Sequence, residues 1–194
     1  MKNDPNSRAS GGIPLYQLKI TLQWSQPAIW RRVVVRADMR LNRLHDVIQI
    51  AMAWTNSHLH QFILGRAFYG EPDPAGFGTD TLNEKRYTVA DLAPAAKKKF
   101  VYEYDFGDGW NHEVKVEKVL PSDAGFKHPV CLAGENACPP EDCGGMGGYY
   151  NLLEALADPK HPDHLDLKDW IGREWDAARF DLNGINAILK RLKA

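Results

Sequence analysis

The segment Tyr102-Glu103-Tyr104-Asp105-Phe106-Gly107-Asp108-Gly109-Trp110-Asn111-His112 constrains the fold more than any other, because bulky and polar residues alternate on both sides of a Gly-Asp-Gly turn. Alternation is the period of a half-buried strand, and two such runs joined by turn residues make a β-hairpin. Phe100, Tyr102, Tyr104 and Phe106 form one row before the turn; Trp110, His112, Val114 and Val116 form one after it. A two-residue Asp108-Gly109 loop would set carboxylates beside valines. A three-residue Gly107-Asp108-Gly109 loop pairs residue 106 with 110, 104 with 112 and 102 with 114, which gathers every apolar residue on one face. This register puts His112 on the aromatic face opposite Tyr104. It puts Asp105 beside Asn111 on the polar face with Glu103 and Glu113, and Gly109 in the left-handed conformation of a bulge.

Around this hairpin the pattern predicts more strands first and helices last. Tyr16, Leu18, Ile20, Leu22 and Trp24 alternate with polar residues, and the β-branched run from Ile29 to Arg36 reads as the return strand of an opening hairpin. Asp38 is the expected N-cap of a helix over 41–53, where Leu41, Leu44, Val47, Ile48, Ala51 and Met52 recur at helical spacing. Residues 58–69 read as strand interrupted at Gly65, and 70–86, with Pro72, Pro74, Gly76 and Gly78, as loop or insertion. The second hairpin spans 99–120 and 121–145 is irregular. Helical patterns follow from Tyr149 to the Asp158-Pro159 stop, near 164–171 and near 182–192. No βαβ rhythm and no repeat is present, so the expected fold class is α+β. Its mainly antiparallel sheet is built from hairpins, with helices packed on it and C-terminal helices. Residues 1–12 are polar and are expected to be a disordered tail on a single domain over 13–194.

Charge and cysteine usage narrow the function classes. Net charge is −1, with residues 1–60 at +5 and the remainder at −6, a weak asymmetry compared with a typical nucleic-acid footprint. No run of about 18 apolar residues and no signal-peptide core is seen, so a soluble, cytoplasmic protein is expected. Cys131, Cys138 and Cys143 are an odd set in a short stretch, which fits free thiols in a reducing compartment. They lack a CxxC knuckle; three thiolates and His112 would complete a tetrahedral zinc site, but no cofactor is the favoured expectation.

Two polar blocks carry most of the candidate chemistry: the hairpin, with Asp105, Asp108, Trp110 and His112, and Pro139-Pro140-Glu141-Asp142-Cys143-Gly144-Gly145, followed by Tyr149. The bland reading of His112 is an imidazole at the core edge, that of Asp108 a turn residue, and that of Asp142 a cap on backbone N–H groups. His58 and His60 would share one side of a strand, but Phe62 and Leu64 continue that row, so burial is the favoured reading. The glycines from Gly144 to Gly148 run into a helix and offer N–H groups to an anion, without a phosphate-loop fingerprint. Trp30 with Arg31, Arg32, Arg36, Arg40 and Arg43 would make a basic-aromatic surface for nucleic acid, diluted because Arg31 and Arg32 point to opposite faces of a strand.

Ile29-Trp30-Arg31-Arg32, Leu44-His45-Asp46-Val47-Ile48-Gln49, Trp54, His58-Leu59-His60-Gln61-Phe62, Tyr102 to His112 and Pro139 to Gly145, in that order, resemble the plasmid pRiA ORF-three-like family. The resemblance runs from about Leu15 to Leu192, and Ala177 departs from it where a proline is usual. It implies an α+β fold and an association with plasmids and insertion elements, with no established activity. Some members carry a resolvase-like label. The chemistry does not support that label, because Ser7 and Ser10 lie in the polar tail, Ser25 precedes a turn, and no Arg…His-x-x-Arg…Tyr set exists. The leading expectation is a non-enzymatic module contacting nucleic acid or a nucleic-acid-processing protein through Trp30, Arg31, Arg32, the 105–112 turn and the 138–149 loop. The alternative is a metal-dependent hydrolase or nuclease using Asp105, His112, Glu141 and Asp142, which requires the two blocks to meet in space.

Overall fold

The computed structural model describes residues 12–72, 80–172 and 175–192. The expected tail, apart from Gly12, lies outside the described residues. Eight strands form one sheet: β1 Leu15–Leu22, β2 Trp30–Arg36, β3 His60–Leu64, β4 Ala67–Gly70, β5 Leu82–Asn83, β6 Lys99–Tyr104, β7 Trp110–Leu120 and β8 Val130–Glu135. Their order is β5-β4-β3-β6-β7-β1-β2-β8, antiparallel except for the β4–β5 pair. Five helices accompany them: α1 Leu41–Met52, α2 Val89–Leu92, α3 Gly145–Ala157, α4 His164–Ile171 and α5 Leu182–Leu189. This is the α+β architecture expected, with hairpins first and helices last.

One face of the sheet is apolar because the central strands alternate in phase with one another over most of their length, with bulges at Gln17/Leu18 and Arg32/Val33. Leu18, Ile20 and Leu22 of β1, Val33 and Val35 of β2, Phe100, Tyr102 and Tyr104 of β6, and Trp110, Val114 and Val116 of β7 are all buried in one cluster. The buried stripe of α1, comprising Leu41, Leu44, Val47, Ile48, Ala51 and Met52, belongs to the same cluster. Burying each such side chain stabilises the fold by about 1.5–3 kcal/mol relative to exposure. The opposite face carries a polar ladder, including a forked ion pair in which Arg32 donates from Nε at 2.6 Å and from a terminal nitrogen at 2.9 Å to Glu117.

Five local expectations are corrected. Asp38 does not cap α1: Arg40 holds the N-cap position, and Asp38 instead accepts two 2.8 Å bonds from Arg36. The 70–86 stretch contains β5 and a 3₁₀ turn at Glu84–Arg86, and the irregular 121–145 segment contains β8, which extends the sheet beside β2. Helix α3 begins at Gly145, four residues before Tyr149, and ends at Asp158 as expected.

The central hairpin is the fifth. Tyr104 pairs with Trp110, Tyr102 with His112 and Phe100 with Val114, so the loop is the five residues 105–109. The rows face the expected way, but the register is offset by two residues. Asp105 leaves the strand in the left-handed conformation at φ 55°, and its Oδ1 accepts from the N–H groups of Gly107 at 3.0 Å and Asp108 at 3.3 Å. This Asx-type turn is completed by Gly109 at φ 67°, whose N–H reaches Asp105 O at 2.6 Å. Phe106 is thereby displaced from the aromatic row and stands half exposed at the tip. Asp105 is buried away from Asn111, on the side of the loop that follows α1.

Candidate metal centre

Helix α1 stops because Ala53 turns left-handed at φ 64°, and the chain then runs along the mouth of the hairpin as Trp54-Thr55-Asn56-Ser57-His58-Leu59 before entering β3. This loop is held on three sides. The Trp54 indole N–H donates to Pro139 O at 2.9 Å, and Asn56 N–H donates to Gln49 Oε1 at 3.0 Å. Asp105 N–H donates to Leu59 O at 2.9 Å. His58 therefore belongs to a loop, and β3 begins only at His60. This corrects the reading that set both imidazoles on one strand.

Tyr104, at the end of β6, fixes the loop to the Pro139–Gly145 block. Its hydroxyl accepts from Ser57 N–H at 2.9 Å and His58 N–H at 3.3 Å, and it donates to the Glu141 carboxylate. The other Glu141 oxygen accepts from the Thr55 N–H at 3.0 Å and from the Thr55 hydroxyl. Burial raises the Tyr104 phenol, and the bond to Glu141 adds to that. Burial would also raise the Glu141 carboxyl, but the bonds from Thr55 and Tyr104 outweigh it and hold that group below the ordinary carboxylate value. Glu141 is thus a tied anion that locks two segments together.

A second seam joins the block to the hairpin turn. Gly144 N–H donates to Asp108 Oδ2 at 3.2 Å, so the anion offered to the start of α3 is the protein's own carboxylate. Gly145 sits at φ 65°, where a Cβ would lie 2.6 Å from Asp108 O, so both the backbone conformation and the close approach require glycine.

Within this frame three side chains from three distant segments converge: His58 from the post-α1 loop, Asp105 from the hairpin turn and Asp142 from the Pro139–Gly145 block. His58 Nε2 lies 3.1 Å from Asp142 Oδ1 and 3.7 Å from Asp105 Oδ2, and one ligand atom from each residue falls within 4.8 Å of the others. Proximity here is not hydrogen bonding. His58 Nε2 is buried with no hydrogen-bond partner: Asp105 Oδ2 lies beyond hydrogen-bond distance, and Asp142 Oδ1, though near enough, is not aligned to form one. Ligand atoms about 2.1 Å from a single ion stand about 3.0–3.4 Å apart at octahedral or tetrahedral angles; the 3.1 Å separation from Asp142 falls within that range, and the 3.7 Å separation from Asp105 lies just beyond it. One imidazole with two carboxylates suits a borderline divalent ion such as Zn²⁺ or Mn²⁺. Asp142 does not cap backbone N–H groups; it stands exposed at φ 61° and turns its carboxylate to His58.

The remaining sequence candidates lie elsewhere. His112 is fully buried, its Nδ1 3.3 Å from Tyr102 O, and burial lowers its pKa to about 4; it is a neutral core imidazole opposite Tyr102, outside the cluster. Trp110 and Tyr149 are core side chains, and Asp108 is a seam residue. The thiols have separate surroundings: Cys131 near Ala133 O, Cys138 against Met52 Sδ, Cys143 near Gly145 O. Among the described residues, the only metal-ligand group of three or more is His58, Asp105 and Asp142, and it contains no cysteine.

The basic-aromatic surface is not a free surface. Arg31 is buried, donating from Nε to Ala51 O at 2.8 Å and from Nη1 to Trp30 O and Glu135 O, with its guanidinium 4.7 Å from the Phe180 ring. It places positive charge on the carbonyl end of α1, where the helix dipole favours a cation. Arg32 is taken by Glu117, Arg36 by Asp38, Arg43 by Asp46 and Arg40 by the Arg86 carbonyl. Trp30 donates to Glu135 at 3.0 Å and has Lys19 and Arg32 each 5.0 Å from its ring.

The chain is 40% identical over 180 residues to the uncharacterised protein y4hQ of Sinorhizobium fredii, covering 92% of each chain. The crystal structure of MM3350, a protein of unknown function from Methanosarcina mazei, superposes with a TM-score of 0.78 at 34% identity, covering 88% of this chain and 96% of that one. The model of the plasmid pRiA4b ORF-3-like proteins matches residues 14–184, and the chain belongs to that family.

Proposed function

We propose that this protein is a metal-dependent hydrolase whose divalent ion is held by His58 Nε2, Asp105 Oδ2 and Asp142 Oδ1. The observation that carries this reading is the buried His58 Nε2, facing two carboxylate oxygens at 3.1 and 3.7 Å without a hydrogen bond to either. Three protein ligands leave coordination positions for water and substrate, and a bound ion of this kind supplies Lewis acidity and a water ionised near neutral pH. Glu141 has a positioning role, since its carboxylate is committed to Thr55 and Tyr104. The reading replaces His112 with His58 in the ligand set, and it takes the place of the nucleic-acid module because Arg31 and Arg32 are engaged within the fold.

The test is calorimetric titration of Zn²⁺ and Mn²⁺ into chelator-treated protein, with hydrolysis of chromogenic ester, amide and phosphodiester substrates followed in parallel. One equivalent should bind, and Asp142→Asn should weaken binding at least tenfold, since Asn tolerates the left-handed backbone and an exposed position. Equal binding by wild type and variant would end the assignment. Saturable binding without turnover would leave a metal-binding module and remove the hydrolase.

A further inference from the structure

A polar cavity of about 350 Å³ opens beside the cluster, with His58 in its wall and Phe106 and Leu59 among its lining residues. Asp46, Glu71 and Glu84 line it, and among the described residues no lysine or arginine does. We infer that this cavity receives the amine or guanidinium end of a small molecule, presenting the rest of it to the His58–Asp105–Asp142 centre. The inference rests on the hydrolase reading for what happens to the molecule, though not for its being bound.

Three observations point to a cation. First, the carboxylates are partnered from outside the lining, Asp46 by Arg43 at 2.7 Å and Glu71 by Lys85 at 3.3 Å, or by a wall imidazole, Glu84 by His60 Nε2 at 2.8 Å. Each pair engages a single carboxylate oxygen, and among the described residues the lining offers an anion no Lys or Arg donor, which disfavours phosphates and nucleic acid. Second, His45 gives the wall a polar, neutral imidazole: it stacks on His60 with centroids 3.5 Å apart, and burial, with His60 adding to it, lowers His45 to about 4. Its two ring nitrogens are taken by Tyr102 and Asn56, each at 2.8 Å. Third, Phe106 lines the cavity and is half exposed, and an accessible aromatic ring in a carboxylate-lined cavity is the kind of surroundings that bind ammonium and guanidinium groups. The volume is at the lower end for small-molecule sites, too small for a polymer to enter.

The experiment uses agmatine and putrescine as cationic probes, with phosphoserine and glucose as anionic and neutral ones. Each is titrated by ligand-observed NMR into chelator-treated and Zn²⁺-loaded full-length protein. Agmatine should bind both forms, with phosphoserine and glucose at least tenfold weaker, and the double variant Glu71→Gln/Phe106→Ala, altered only at exposed side chains, should weaken agmatine at least tenfold. Phosphoserine or glucose binding as tightly as agmatine, no saturable agmatine binding to either form, or no effect of the double variant would each overturn the inference. Agmatine binding to protein that takes up no Zn²⁺ would uphold the cavity and refute the metal reading, so the two fail separately.

Discussion

Replacing Tyr104 by phenylalanine removes one oxygen atom from the junction that holds three segments together. The ring itself stays in its slot, stacked 5.0 Å from Trp54, so no cavity opens. What is lost is the bond to the Glu141 carboxylate and the acceptor for Ser57 N–H at 2.9 Å and His58 N–H at 3.3 Å. A hydrogen bond to a charged group contributes about 1.5–3 kcal/mol, and a buried donor left unpaired costs about 1–3 kcal/mol. The junction is partly open to water, which favours the low end of both ranges, so the expected loss is about 3 kcal/mol. For a domain of this size that is roughly 6–12 °C in Tm. Urea unfolding should show a lower midpoint with an unchanged slope, and divalent-ion affinity should fall with it, because His58 and Asp142 lose the tie that sets their separation. A loss below about 1 kcal/mol with unchanged ion affinity would refute the view that Tyr104 positions the site.

Two further outcomes follow from buried groups. His112 stays neutral in the fold to about pH 4 but titrates near 6.5 once unfolded, so its contribution is complete above pH 6.5 and is lost as pH falls toward 4. The cost reaches about 3 kcal/mol, and His112→Gln should flatten that part of the stability profile measured by urea unfolding from pH 7.5 to 4.5; an unchanged profile would contradict it. Burial raises Cys138 to about 11 and Cys143 to about 12, and raises Cys131 as well, so a thiol reagent at pH 8 should react slowly with native protein and fast in denaturant. Prompt reaction of native thiols would count against their placement.

The fold was legible where periodicity acts on long segments. The phase of the aromatic rows, the opening hairpin and the stripe of α1 follow from alternation and helical spacing alone. The hairpin register was less legible, because a two-residue slip keeps every side chain on its face, and parity cannot distinguish a three-residue loop from a five-residue one. Asp105 decided it by entering the left-handed region and accepting its own turn's N–H groups, which left Phe106 outside the core. Short β8 was hidden because Leu132 is exposed and Ala133 and Gly134 blur its alternation. Among site residues, Asp105, Glu141 and Asp142 were visible as acids in glycine-rich blocks. His58 is hard to recognise because the alternation of His60, Phe62 and Leu64 continues back through it, two residues before β3 begins, and the cue against this is Asn56-Ser57, turn-forming residues just before it. The burial of Arg31 had no local signal, since its partners are carbonyls from α1 and β8.

Metal ligation by His58, Asp105 and Asp142 is decided by a crystal structure of the protein grown with Zn²⁺ or Mn²⁺, with anomalous difference maps recorded at the metal's absorption edge. One strong peak is expected about 2.0–2.2 Å from His58 Nε2, Asp105 Oδ2 and Asp142 Oδ1. A peak on the cysteines, at His112 or only at the surface, with His58 Nε2 unligated, would contradict it.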